Sequence, residues 1–176
     1  GIVAEAEAGR AQRAGHFNLA AQRAEESFAL QLDPARRLLA LDRAAITRID
    51  TARAALDMAD PAAANANPPQ SQPASAATAR PDALTQAIGA ALDACERLLK
   101  RSVGWHRSAA YYAQAAELEA HRLRLAGDSL SLQWLSRAHA AWLRQRQWLP
   151  YDFDTLMRLT HYPSEWTAIV ALLRDA

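Results

Sequence analysis

The sequence has little of what a β-sheet, a disulfide framework or a membrane span requires. Valine and isoleucine together number eight among 176 residues. Strands draw on branched and aromatic side chains, so an all-β fold is excluded and a parallel sheet is not expected. A single cysteine, Cys95, excludes an intrachain disulfide and leaves the redox compartment open. No run approaches the roughly 20 apolar residues of a membrane helix, so no direct membrane insertion of this segment is expected. The start lacks the charged, apolar and cleavage regions of a signal peptide. The six glycines stand singly, so there is no glycine-rich phosphate loop. Neither sign of charge dominates: 20 Lys and Arg against 19 Asp and Glu leave a formal net charge of +1. A nucleic-acid partner or a polybasic membrane surface is therefore not expected. The chain opens on Gly1 rather than methionine, as expected of a processed product or a piece of a longer protein.

Alanine fills the space these absences leave. Its 43 copies make up about a quarter of the chain and account for much of the 51% hydrophobic content. Leucine, arginine, glutamine and glutamate accompany it, and all are good helix formers. Of the basic residues, 19 are arginine and only Lys100 is lysine, a bias that a GC-rich coding sequence explains along with the alanine.

Composition breaks once. Residues 60–81 carry Pro61, Pro68, Pro69, Pro73 and Pro81 and no large apolar side chain. Such a stretch buries too little surface to offset its ordering entropy, and reads as a linker or surface loop. It separates an N-terminal part, 1–59, from a C-terminal part, 82–176. The first part reads as three helices, about 2–14, 18–32 and 34–58. Gly15 takes the left-handed position after the first, and Asp33-Pro34 opens the third. Leu19, Ala20, Ala24, Phe28 and Leu32 share one face of the second. Leu38, Leu39, Leu41, Ala45, Ile46, Ile49, Ala52 and Leu56 make a broad stripe on the third.

The second part reads as five helices. The first runs from Asp82, its cap, to near Gly104, and the next over about 106–126, stopping at Gly127. Asp128 or Ser129 caps the third, which carries Leu130, Trp134, Leu135, Ala138, Trp142 and Leu143 and ends by Pro150. A short helix follows over about 154–160, and the last opens at Pro163. The expectation is an all-α chain of about eight helices, arranged as antiparallel pairs in a solenoid or bundle.

Residues 1–34 resemble a tetratricopeptide repeat. Ala8 lies seven residues before Gly15, Gly15-His16-Phe17 is similar to the family's Gly-Asp-Tyr turn, and Ala20 occupies the small-residue position. Leu32-Asp33-Pro34 resembles the closing Leu-Asp-Pro, although the interval from Gly15 to Pro34 is two residues long of the usual one. A fainter echo joins Ala120, Gly127 and Leu149-Pro150-Tyr151-Asp152, with an interval about six residues too long. The resemblance implies stacked helix pairs whose concave face receives a peptide or a partner helix. Arg10, Arg13, Gln114 and Glu117 then fall on first-helix faces as groove candidates. The strings at 29–34 and 149–159 are also similar to soluble repeat tails of bacterial O-antigen ligase or polymerase membrane proteins. That resemblance implies an extramembrane accessory domain.

All five tryptophans lie between 105 and 166. Trp134 and Trp142, at helical spacing with Ala138, read as core, whereas Trp105, Trp148 and Tyr151 sit at helix ends where a groove could use them. Asp152-Phe153-Asp154 has the spacing of a metal-binding carboxylate pair, but it lacks the α/β fold that such chemistry needs. Asp154 reads instead as a helix cap with Asp152 in the preceding turn. Glu117 and His121 share a helix face at i, i+4, yet two ligands do not make a metal site. His16, His106, His139 and His161 are scattered singly, and Cys95 lies among apolar neighbours where a thiol is inert. The resulting expectation is a noncatalytic protein-interaction domain with a protein or peptide partner and no metal or cofactor. The alternatives are the accessory tail and a small helical enzyme using residues 105–161.

Overall fold

A computed structural model of the chain describes residues 2–30, 34–60, 81–102 and 107–162. Seven helices make up the described part: α1 (Ile2–Arg13), α2 (Phe17–Leu30), α3 (Pro34–Ala59), α4 (Pro81–Arg101), α5 (Ser108–Leu125), α6 (Ser131–Trp148) and α7 (Phe153–Leu159). No strand occurs among the described residues. The eighth helix expected from Pro163 onward, most of the 60–81 segment, Asp33 and Gly104 lie outside them. The second helix of the second part begins at Ser108, two residues later than expected.

The α1 and α5 ends follow directly from glycine. Gly15 and Gly127 have φ of +75° and +70°. At the first, the His16 N–H donates to Ala11 O and Gly15 N–H to Gln12 O. At the second, Asp128 N–H donates to Leu123 O and Gly127 N–H to Arg124 O. Both are the paired closure that satisfies the last carbonyls of a helix, and both turn the chain back into a hairpin.

Each helix packs on its sequence neighbour, and α3 also packs on α5. The main core joins α3, α4 and α5. Leu41, Ala45, Ile49, Ala52 and Leu56 meet Leu84, Ile88, Ala91, Cys95 and Leu98, with Ala115 closing the layer. A small cluster of Ala8, Ala24 and Ala44 joins α1, α2 and α3. A third joins α5, α6 and α7 through Ala110, Ala113, Ala141, Trp142 and Leu159. At about 1.5 Å per residue the 26-residue α3 is about 39 Å long, the longest of the seven, and it is the element on which both parts of the chain pack.

Alanine, not leucine, occupies most of these seams. On α2, Ala20, Ala21, Ala24 and Ser27 are buried, whereas the expected core residue Leu19 is exposed. Leu39, Leu130 and Leu135 are likewise exposed, and Trp134 is half-buried with the Arg137 guanidinium 4.5 Å over its ring. Helix axes approach most closely where side chains are smallest, so the bulkier residues are displaced to the flanks of the seam. Trp142 is the exception, 1% exposed at the heart of the α5–α6–α7 cluster.

Capping also departs from expectation. Asp152, not Asp154, caps α7: its carboxylate accepts from Thr155 N–H at 3.1 Å and Thr155 Oγ1 at 2.5 Å. Asp154 is exposed in the first turn, within 3.4 Å of Arg107. Asp82 sits inside the first turn of α4, which starts one residue earlier. Asp128 accepts from Leu130 N–H at 2.9 Å in the turn before α6 rather than from the helix proper. The start of α5 is served from another helix: Gln145 of α6, fully buried, accepts from Ala110 N–H at 3.1 Å.

Candidate functional site

Two concavities stand out in the described structure. The larger, about 900 Å³, opens between the α1–α2 turn, the second half of α3 and the first half of α4. Its walls are plain: Phe17, Leu19, Ala54, Ala55, Met58, Ala83 and Ala87, with His16 and Arg48 the ionisable side chains. Arg48 is held by Glu25 at 3.3 Å.

The second, about 710 Å³, is chemically richer. Glu117, His121 and Arg124 enter it from α5, Ser131, Leu132, Leu135, Ser136 and His139 from α6, and Arg158, His161 and Tyr162 from α7 and the residues after it. The folding reason is simple. The Gly127 turn sets the last turns of α5 against the first turns of α6, and the turn at 149–152 brings α7 back across them. Glu117, His121 and Arg124 are spaced four and three residues apart and share one face of α5, while His161 follows Arg158 by three residues, just beyond the end of α7.

Glu117 forms the anchor of the cleft. Its Oε1 accepts from Trp142 Nε1 at 2.8 Å and from the Tyr162 hydroxyl at 3.0 Å. Burial pushes the Tyr162 phenol well above its ordinary range. The Glu117 charge and the hydrogen bond to it push it further, so the hydroxyl stays a donor. The Tyr162 ring stacks on His139, with centroids 4.6 Å apart and planes 14° from parallel. His121 Nε2 lies 3.3 Å from the Asp60 carboxylate at the end of α3. His161 Nδ1 lies 3.1 Å from Met157 O and 3.2 Å from Arg158 O. A carbonyl only accepts, so Nδ1 carries the proton there.

Two arginines face one carboxylate in the cleft. The Glu117 carboxylate is engaged by two internal donors, while Arg124 and Arg158 are exposed and have no ion-pair partner among the described residues. Several arginines elsewhere are matched: Arg23 with Glu7 and Glu26, Arg43 with Glu5, Arg53 with Asp50, Arg122 with Glu119. Arg107 is bonded to Asp152. Burial opposes ionisation of Asp152, but the hydrogen bonds from Thr155 and Arg107 outweigh it and hold the carboxyl below its usual range.

The expected groove residues fall in several places. Arg10 and Arg13 line shallow depressions beside α1, one of them shared with Glu5 and Arg43. Gln114 accepts from Arg53 Nη2 at 3.1 Å and so ties α5 to α3. Trp148 is half-buried under the Arg144 guanidinium, 4.7 Å from its ring centroid, and Tyr151 is 74% exposed in the turn before α7. Trp105 lies outside the described residues. Glu117 alone of that set reaches the cleft, and it does so with His121, its i, i+4 neighbour. The reading of single histidines missed that His139 and His161 join them, together with Arg124, Arg158 and Tyr162. Only the Arg158/His161 and His121/Arg124 spacings gave any local sign of it.

Cys95 is fully buried in the α3–α4–α5 core, and burial pushes its thiol up to about 12. It presents no thiolate nucleophile. Among the described residues no group of three or more His, Cys, Asp or Glu is placed to hold a metal ion, and no helix is long and apolar enough to cross a membrane. Comparisons with protein-family models, with curated proteins and with solved structures give no match to this chain.

Proposed function

We propose that this chain is a noncatalytic recognition module, a stack of antiparallel helix pairs of the tetratricopeptide kind that binds a segment of a partner protein. One observation carries the reading. The richest cleft offers exposed leucines and two arginines unpaired among the described residues, while Oε1 of its carboxylate accepts from Trp142 and Tyr162. Exposed guanidinium groups beside exposed leucines suit the binding of a charged, partly apolar segment. Panning a phage library of random peptides on the 176-residue chain tests the proposal. An enriched consensus, displaced by the same peptide in free form, is the expected result. Enrichment no greater than on a blank surface overturns it.

A second reading, a small helical enzyme, draws on the convergence of Glu117, His121 and His139 in one cleft. It predicts turnover of simple ester, phosphoester or glycoside substrates that H139A abolishes while the fold survives. The double hydrogen bond on Glu117 Oε1 weighs against it, because moving that side chain toward a substrate strands a buried indole N–H.

A further inference from the structure

The cleft between α5, α6 and α7 carries information about the chemistry of its occupant. Its cationic side comes from two helices: Arg124 from the last turn of α5 and Arg158 from the last turn of α7. The carboxylates near them have partners of their own, Asp154 with Arg107 at 3.4 Å among them. Glu117 accepts from Trp142 and Tyr162, Asp60 faces His121, and Asp128 accepts from Leu130 N–H. A guanidinium presents a planar fork of donors that matches a carboxylate, and one with no ion-pair partner among the described residues is available to one brought by a ligand.

The α6 wall supplies the apolar side chains, beside Ser131, Ser136 and His139. Leu132, 72% exposed, and Leu135 lie at i, i+3 on the first turns of α6, facing the same cavity as the arginines. A volume of about 710 Å³ lies within the range of roughly 300–1,000 Å³ typical of ligand clefts, enough for a few side chains. Resting on the recognition reading above, we infer that this cleft binds an acidic, leucine-bearing stretch of a partner protein. The ligand's carboxylates meet Arg124 and Arg158, and its apolar side chain packs on Leu132 and Leu135. The cleft thereby selects against basic segments, which would meet both arginines with like charge. The apolar concavity beside α2, α3 and α4 has no such charge signature and selects for nothing by sign.

Fluorescence anisotropy with three short labelled peptides tests the inference on the full chain. One alternates Glu and Asp with Leu, the second replaces each acid by Gln or Asn, and the third replaces each acid by Lys. The acidic peptide is expected to bind at least tenfold more tightly than the amide peptide, with affinity falling as salt rises, and the lysine peptide not to bind. The R124E/R158E double variant should lose at least tenfold in affinity for the acidic peptide at unchanged helicity, because both side chains are exposed. R124K/R158K should retain most of it. K100E, at an exposed position of α4 outside the cleft, should change nothing. Equal binding of the acidic and amide peptides overturns the inference, as does unchanged affinity in R124E/R158E. Failure of all three peptides to bind also overturns it. In each of these cases a phage consensus of another chemistry leaves the recognition reading standing, and only the absence of any consensus removes that too.

Discussion

Removing the Glu117 carboxylate should reveal how the cleft is held. In E117A the Trp142 indole N–H loses its acceptor inside a site where the ring is 1% exposed, and the Tyr162 hydroxyl loses its own. A buried donor left unsatisfied costs about 1–3 kcal/mol. Tyr162 is only half-buried and can turn to water, so it adds little. The expected loss is about 2–3 kcal/mol, a large share of the roughly 5–15 kcal/mol that holds a typical domain. E117Q keeps an amide oxygen at the same place and should cost less than about 1 kcal/mol. Y162F should cost about 1 kcal/mol, and the E117A/Y162F double variant should fall short of the sum of the singles by a similar amount, since both remove one hydrogen bond. Urea denaturation followed by tryptophan fluorescence reads these values. The reasoning is refuted if E117Q is as damaging as E117A, or if E117A and Y162F are strictly additive.

Three further outcomes follow from the helix ends and the core. Gly127→Ala should destabilise by about 1–2 kcal/mol, because φ is +70° there, whereas Gly89→Ala should stabilise by about 0.5–1 kcal/mol, since that glycine lies within α4 with open space where a methyl would go; thermal melts of the two variants moving in opposite directions would confirm it. Cys95 should react with a disulfide reagent only as the chain unfolds, at a rate that rises with urea, because its thiol is buried and pushed up to about 12. Asp152→Ala should cost about 1 kcal/mol at neutral pH by removing the α7 cap, with the exposed Arg107 contact adding little. The Asp152 carboxyl titrates lower in the fold than in the unfolded chain, so its stabilisation is present above the unfolded value and lost as pH falls through the folded one. Denaturation curves of wild type and variant should therefore converge in acid.

The helical class, the hairpin turns and much of the main core were legible in the amino-acid order. Gly15 and Gly127 ended helices where stops were expected, the first by left-handed closure as expected, and Leu41, Ile49, Leu56, Ile88 and Leu98 repeated at 3.6-residue spacing and are buried. The stripes failed where alanine covers several faces of a helix. On α2 and α6 the pattern pointed to Leu19, Trp134 and Leu135, but seams between close-packed helices took the alanines and left these larger residues at the margins. Asp152 and Asp154 were indistinguishable as caps by type, and the choice fell to Asp152 because its extended backbone aims the carboxylate at Thr155. The cleft was half visible. Glu117 and His121 are neighbours on one helix, but His139, Arg158 and Tyr162 join them only after two turns fold α6 and α7 back over α5. Periodicity within a helix carries no signal for such a meeting.

The most direct test of this account is a titration of the isotope-labelled chain with the acidic leucine peptide, followed by amide chemical shifts. The account predicts the largest changes at residues 117–125, 131–139 and 156–162, with the α1–α2 turn silent. Shifts concentrated at residues 15–19, 51–58 and 83–90 would contradict it, because the occupied surface would then be the apolar concavity and the arginine-lined cleft would be idle.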